Sequence, residues 1–285
     1  MLALLSRSLL RPTSLAKSTK RLVKAQPRHV VRSDNQLHRL VSTGRCSAGP
    51  PKPPPPQAAS AAVLSPVRHC SAGVCSADIE MPTFEIVEEK PIHARYLTVF
   101  DRKVRITSSK PGEAPTELHY DVVGHPRCSF KFAVAFPFHR AQDGGEPTVT
   151  VIREYCQGPN AVCYNLPTGG YDPRKHTSLE ECVMAELSEE ALLRGGQLVR
   201  LTPDSHPGFA EVKWCANRFT PFLVVDAEAD PTPGTRDAEE YIQVQRVPVS
   251  ELRRLLVAGD MMLPSIVTAQ MALAHLEAAG EIPRP

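Results

Sequence analysis

The residues Leu166–Gly196 read LPTGGYDPRKHTSLEECVMAELSEEALLRGG, and they bring Glu186, Glu189 and Glu190 close together after a Gly169–Gly170 pair. In a helix, positions three and four apart share a face. Like charges at that spacing destabilise a helix slightly. Either the face is solvated, which is the ordinary fate of a Glu-rich helix surface, or a positive group sits against it. A hard divalent cation such as Mg²⁺ or Mn²⁺ suits such a face. Mg²⁺ takes oxygen ligands, typically one or two carboxylates completed by waters and substrate phosphates. The chemistry this allows is polarisation of a phosphoryl oxygen and activation of water.

These side chains must be held by the elements around them. Thr177 or Ser178 is a natural N-cap, and Glu180 and Glu181 suit the positive end of the helix dipole. Val183, Leu187 and Ala191, with Met184 beside them, form the apolar stripe that buries one side. Gly195–Gly196 are expected to end the helix. Upstream, strands are expected at Phe84–Val87, Tyr96–Phe100 and Val104–Ile106, and in LHYDVVGH. KFAVAFPFH (131–139) reads as a buried strand and TVTVIREY (148–155) as the next one, with AQDGGEP as the hairpin loop between them. CQGPNAVCYNLPTGG then reads as a loop. Downstream come one or two strands in EVKWCANRFTPFLVVDA, a polar acidic loop EADPTPGTRDAEE, a strand in YIQVQRVPV and two helices, the last with Pro264 in its first turn. This order of strands, helix, strands, helix, helix implies a mixed sheet sandwiched between helices, an α/β (α+β) class.

The stretch GGYDP…SLEECVMAELSEEALL resembles the Nudix box, roughly G-x5-E-x7-R-E-U-x-E-E-x-G-U. TVTVIREYCQG…YNLPTGG, HPGFAEVKWCANRFTPFLV and DAEEYIQVQRVPVSEL are similar to segments of the ADP-ribose and ADP-sugar pyrophosphatase branch of that family. The likeness spans roughly residues 83–280. It implies the Nudix fold, with a small N-terminal antiparallel sheet subdomain that helps build a homodimer. The domain division is then 1–77 leader and linker, 78–125 N-terminal β subdomain and 126–285 Nudix domain.

The resemblance also implies roles. Glu186 and Glu190 would be ligands of Mg²⁺ or Mn²⁺, and Glu189 a further ligand or proton acceptor. A backbone carbonyl at Gly169–Gly170 would complete the shell. Glu239 and Glu240, in a late loop, would be candidate catalytic bases. Arg153 would hold a substrate phosphate, which its planar guanidinium suits; a salt bridge at a strand end is the alternative. Arg218 and Asn217 are divided between substrate contact and local turn bonding. Glu211 is a metal-associated group or a loop carboxylate. Trp214, Phe219 and Phe222 are base-stacking or core aromatics. The implied reaction is hydrolysis of a nucleoside diphosphate linked to a sugar or related group, giving two monophosphates. The sequence departs from the pattern where Thr177 stands for the upstream Glu, in a lengthened loop, and Asn165 for a Glu before Leu-Pro; in the core of the box Ala185 replaces the Arg and Leu192 the closing Gly. Those changes support the alternative, a Nudix-fold nucleotide-binding or regulatory module without turnover. Lys175, Arg174 and Arg194 are candidate replacements for the missing positive charge.

Charge divides the chain. Residues 1–77 hold twelve Lys and Arg against the single acid Asp34, a net of +11, while the remainder nets −9. The acid-poor, Ser- and Arg-rich start MLALLSRSLLRPTSLAKSTKRLVK has the composition of an organelle transit peptide, with a basic tail as the alternative. The chloroplast is favoured over the mitochondrion. GPPKPPPPQAASAA is linker in composition. Arg7 and Arg11 interrupt any secretory h-region, and no apolar run approaches the roughly 18 residues of a membrane span. The acidic remainder argues against nucleic-acid binding. Eight cysteines without a CxxC pair argue against a zinc site or a disulfide framework.

Overall fold

The computed structural model describes residues 81–142, 144–236 and 240–284. The leader and linker expected at 1–77, and Glu239, lie outside the described residues. The described chain runs β1 (Thr83–Ala94), β2 (Thr98–Thr107), β3 (Thr116–Gly124), β4 (Lys131–His139), β5 (Thr148–Cys156), β6 (Ala161–Asn165) and β7 (Thr168–Gly170). It continues with α1 (Leu179–Ala191), β8 (Leu193–Arg194), β9 (Gln197–Arg200), β10 (Phe209–Ala210), β11 (Arg218–Val225), β12 (Glu228–Ala229), β13 (Gln243–Pro248), α2 (Val249–Ala258) and α3 (Leu263–Ala278).

An eight-stranded mixed sheet has the path β10-β11-β4-β5-β13, with β6 on β5, β7 on β4 and β9 on β11. β11 and β4 are parallel; their neighbours are antiparallel. Strand alternation explains why this sheet accepts helices on both faces. In β4, Val134, Phe136 and Phe138 point to a core closed by Leu252, Leu255 and Leu256 of α2 and Ala272, Leu273 and Leu276 of α3. Ala133 and Ala135 point the other way, to Cys182, Val183, Leu187 and Ala191 of α1. The two alanines let α1 approach the strand closely. The expected mixed sheet between helices is therefore the architecture observed.

A separate antiparallel sheet, β1-β2-β3, forms the expected N-terminal subdomain. β1 and β2 are longer than the sequence pattern suggests. Pro91 is accommodated because β1 is an edge strand with register irregularities at Ile86/Glu88 and Pro91/His93. One face of this sheet is a charge ladder, in which Arg105 bonds both Glu85 and Glu117, and Lys103 also meets Glu117. The other carries exposed Phe84, Ile86, Leu118 and Tyr120.

Two expectations are corrected. The segment read as a loop between 156 and 170 forms β6, whose Val162, Tyr164 and neighbours pair along β5 in antiparallel register, and β7, which pairs along β4. Helix α1 ends at Ala191, before Gly195–Gly196, with Leu192 as its cap in the left-handed region at φ 59°.

Candidate active site

The N-cap of α1 is Ser178, whose Oγ accepts from the Glu181 backbone N–H at 3.1 Å. Glu181 in turn accepts from the Thr177 N–H and hydroxyl. These bonds tie Thr177, Ser178 and Glu181 together and fix the start of the helix. Two turns on, Glu186 packs directly against Gly169. A Cβ on Gly169 would lie 1.7 Å from Glu186 Oε1, so only glycine leaves room for this carboxylate. One turn further, Glu190 is 5% exposed, and its Oε2 accepts from the Thr168 N–H at 2.7 Å. Burial, then the charge on Glu186, hold the Glu190 carboxyl well above the ordinary carboxylate range. Glu154 and Glu240 push in the same direction.

Glu154 was not anticipated from the sequence. It lies at an inward position of β5, and burial raises its carboxyl too. Asn165 holds it, donating from Nδ2 to Glu154 Oε1 at 2.7 Å. The signal available was alternation: Glu154 shares a strand face with the fully buried Ile152. Arg236 was also missed. Its guanidinium donates to the backbone carbonyls of Glu189 and Glu190 at 2.8 Å each, and to that of Ile242 at 3.2 Å. It ties the late loop to the C-terminal turn of α1, where a cation complements the helix dipole.

The three box glutamates divide rather than share one face. Glu186 and Glu190 turn to β7, while Glu189 packs on Gly234 of the late loop, with Oε1 2.9 Å from where a Cβ would stand. Among the described residues no group of three His, Cys, Asp or Glu side chains is arranged to hold a metal ion. The donor set nevertheless fits a hard cation: two carboxylates, Glu186 and Glu190, and the Gly169 carbonyl, which also faces α1 and accepts from Cys182 Sγ at 3.8 Å. Like-charged carboxylates, one of them buried, form a site that a cation would stabilise.

The remaining candidates fall elsewhere. Arg153 lies on the opposite face of β5 from Glu154, with its guanidinium 5.2 Å from the centre of the Tyr164 ring. Its Nε is buried without a hydrogen-bond partner. Among the described residues it forms no salt bridge, the alternative reading of this strand end. Arg218 donates to the Gly208 carbonyl at 2.9 Å. It lines a cavity of about 340 Å³ with Lys131, Arg200 and His206, at the other end of α1 from Glu190. Gly170 abuts Cys128 Sγ. Asn217 is a local bond, its Oδ1 accepting from the His125 N–H at 2.9 Å. Glu211 accepts from Cys215 Sγ within its loop. Phe219 and Phe222 are core, whereas Trp214 is 61% exposed. Of the proposed substitutes for the absent box arginine, Arg174 bonds Asp172 and Arg194 bonds Glu228.

No family model and no curated protein matches the chain. Among solved structures, the chain is similar to an ADP compounds hydrolase with a TM-score of 0.53 at 18% identity, covering 73% of this chain and all of that one. At that identity the likeness is one of fold, and it extends over the whole of the solved protein. The Nudix domain of Shewanella oneidensis NrtR, solved with ADP ribose, matches at TM-score 0.40 and 15% identity over 51% of this chain and 87% of its own. The described residues thus share the mixed α/β fold of the ADP compounds hydrolase.

Proposed function

We propose that the chain hydrolyses the diphosphate linkage of a nucleoside diphosphate joined to another group, of the ADP-ribose or ADP-sugar type, and releases two monophosphates. The observation that carries this reading is the seating of Glu186 on Gly169 beside Glu190, whose carboxylate is fixed by the Thr168 N–H. A bound Mg²⁺ or Mn²⁺ would neutralise diphosphate charge and acidify water. The chain's own part is positional. Thr168 and Asn165 orient the buried carboxylate of Glu190 and the half-buried one of Glu154. Glu240, whose charge reaches Glu190, and Glu239 in the same loop are the candidates to take the proton of the attacking water. Glu189 faces that loop from α1. Water attacks one phosphorus, the bridging P–O bond breaks, and the leaving phosphate carries away the bridging oxygen.

A second reading, binding without turnover, is favoured by Ala185 in the place of the box arginine and by the division of the three glutamates. Full-length protein incubated with Mg²⁺ or Mn²⁺ and a panel of ADP-ribose, ADP-glucose, other nucleotide sugars and dinucleotides separates the two. Monophosphate release that Glu186→Gln abolishes supports the hydrolase. Ligand-induced rises in Tm without release support the binder and overturn the hydrolase. The acid-poor composition of residues 1–77 further supports delivery to an organelle, the chloroplast first. A fluorescent protein fused behind that segment tests this, and signal left in the cytosol would overturn it.

A further inference from the structure

The hairpin that carries Glu154 also carries two thiols. In the β5–β6 register Cys156 opposes Ala161 and Glu154 opposes Cys163, so the cysteines are diagonal neighbours on one sheet face. The Cys163 thiol lies near enough to push that of Cys156 up, and each Sγ donates to a carbonyl of its own strand at 4.0 Å. Both are free thiols, Cys156 half-buried and Cys163 buried. The same Asn165 amide that donates to Glu154 Oε1 also donates to Cys156 Sγ at 3.4 Å. A chain of contacts therefore runs from the thiols through Asn165 to Glu154, whose charge acts on Glu190.

We propose that Cys156 and Cys163 are a thiol–disulfide pair, closed by a disulfide oxidant, and that closure pulls Asn165 from Glu154 and weakens the adjoining site. The Cys156 thiolate attacks a sulfur of the oxidant and expels one thiolate. The Cys163 thiolate then attacks the Cys156 sulfur of the mixed disulfide and expels the second. The oxidant's disulfide is reduced to two thiols, which take up the two protons the cysteines lose. Diagonal strand neighbours stand slightly farther apart than a disulfide allows, by about 1 Å between Cα atoms. The hairpin can close that gap, because Cys156 is the last residue of β5 and borders the turn. Burial pushes the Cys156 thiol up to about 11. The pair should therefore close slowly at neutral pH and faster in alkali, and a poor leaving group makes the bond slow to reopen.

The effect on turnover rests on the hydrolase reading; the existence of the bond does not. Full-length protein is treated with oxidised glutathione, quenched in acid and subjected to differential alkylation, with mass spectrometry of the peptide bearing both thiols. Joint protection of Cys156 and Cys163, with no glutathione retained, is the expected result. A stable glutathione adduct on Cys156, or either thiol left free while others oxidise, would overturn the pair. Oxidation should lower ADP-sugar hydrolysis at least threefold, with dithiothreitol restoring it and both Cys156→Ser and Cys163→Ser insensitive. An unchanged rate in protein shown to be bridged would sink the coupling. If the reduced protein hydrolyses nothing, the hydrolase reading fails alone: alkylation still decides the pair, and the Mg²⁺-induced rise in Tm, smaller in the bridged form, decides the coupling.

Discussion

Glu190 occupies a position that is costly for a carboxylate. It is buried, faces the charge of Glu186, and is only partly repaid by one backbone N–H. Glu190→Gln keeps an oxygen for Thr168 and removes the charge. We expect it to raise stability by roughly 1 kcal/mol without added metal, a sign opposite to that of most core substitutions. It should also lower hydrolysis by roughly a hundredfold or more and abolish stabilisation by Mg²⁺. Thermal melts with and without Mg²⁺, beside the rate, check this; a destabilised variant would mean the carboxylate is structural. Leu192 makes the converse point. It adopts φ 59°, the left-handed conformation glycine tolerates best, at the very place where the family pattern has its closing glycine. Leu192→Gly should stabilise the chain by about 0.5–1 kcal/mol, the strain relieved being offset in part by the greater freedom of the unfolded glycine. Denaturant melts would show the gain, and a loss would identify packing by Leu192 as the larger effect. That Glu186 and Glu190 lie together against the Thr168–Gly169 turn was legible, because their spacing along α1 is local, whereas the turn of Glu189 to Gly234 was not. Glu154, Asn165 and Arg236 were not, since a carboxylate on a strand, an amide on the next and an arginine in a loop acquire meaning only through register and return of the chain.

At the scale of elements, neighbouring strands meet around one histidine. His139 ends β4, bonds Thr150 of β5 at 2.9 Å from Nε2, and accepts from Arg246 of β13. Burial first, then the Arg246 charge, lower its pKa from 6.5 to about 4, against a smaller opposing pull from Asp226. The folded protein therefore holds this ring neutral between about pH 6.5 and 4, whereas the unfolded chain takes up a proton there. Stability from this group is complete above pH 6.5 and is lost as pH falls towards 4. We expect a loss of roughly 1–2 kcal/mol over that window, allowing for solvent screening. Asp226 and Glu281, whose carboxyls are lowered through bonds that include those from Arg140, also lose stability in acid. The relevant measurement is therefore the difference in pH dependence between the wild type and His139→Gln. Identical slopes would place the acid sensitivity elsewhere. The elements themselves were read with uneven success for a physical reason. β4 and α1 announce themselves by long apolar patterns, and were found. β7 and β9 are short strands whose pairing depends on partners distant in sequence, and β6, although it pairs with the adjacent β5, is a short strand that follows a Gly-Pro-Asn turn; without their partners these stretches have the composition of a loop.

The whole molecule carries a surface that its own fold leaves open. On β1–β3 the outer residues alternate so that Glu85, Arg105 and Glu117 make a solvated charge ladder, while Phe84, Ile86, Leu118 and Tyr120 stand exposed on the other face. Trp214 lies beside them, bordering with Tyr120, Arg102 and Lys213 a cavity of about 370 Å³. An amphipathic sheet hides one face in a core, and a contiguous exposed apolar face of this kind marks a contact surface. A second copy of the chain is the occupant we propose, in keeping with the homodimer implied by the family likeness. Surface ion pairs contribute little, so the charge ladder does not explain why the sheet persists; burial of its apolar face against a second copy would. The prediction is that full-length protein sediments as a dimer at micromolar concentration, and that Ile86→Glu with Leu118→Glu shifts it to monomer. Because Glu186 and Glu190 belong to the other sheet and its helix, the monomeric variant should keep a cooperative melt. Sedimentation of the unaltered protein as a monomer, or a double variant that remains dimeric, would assign this face to a different partner.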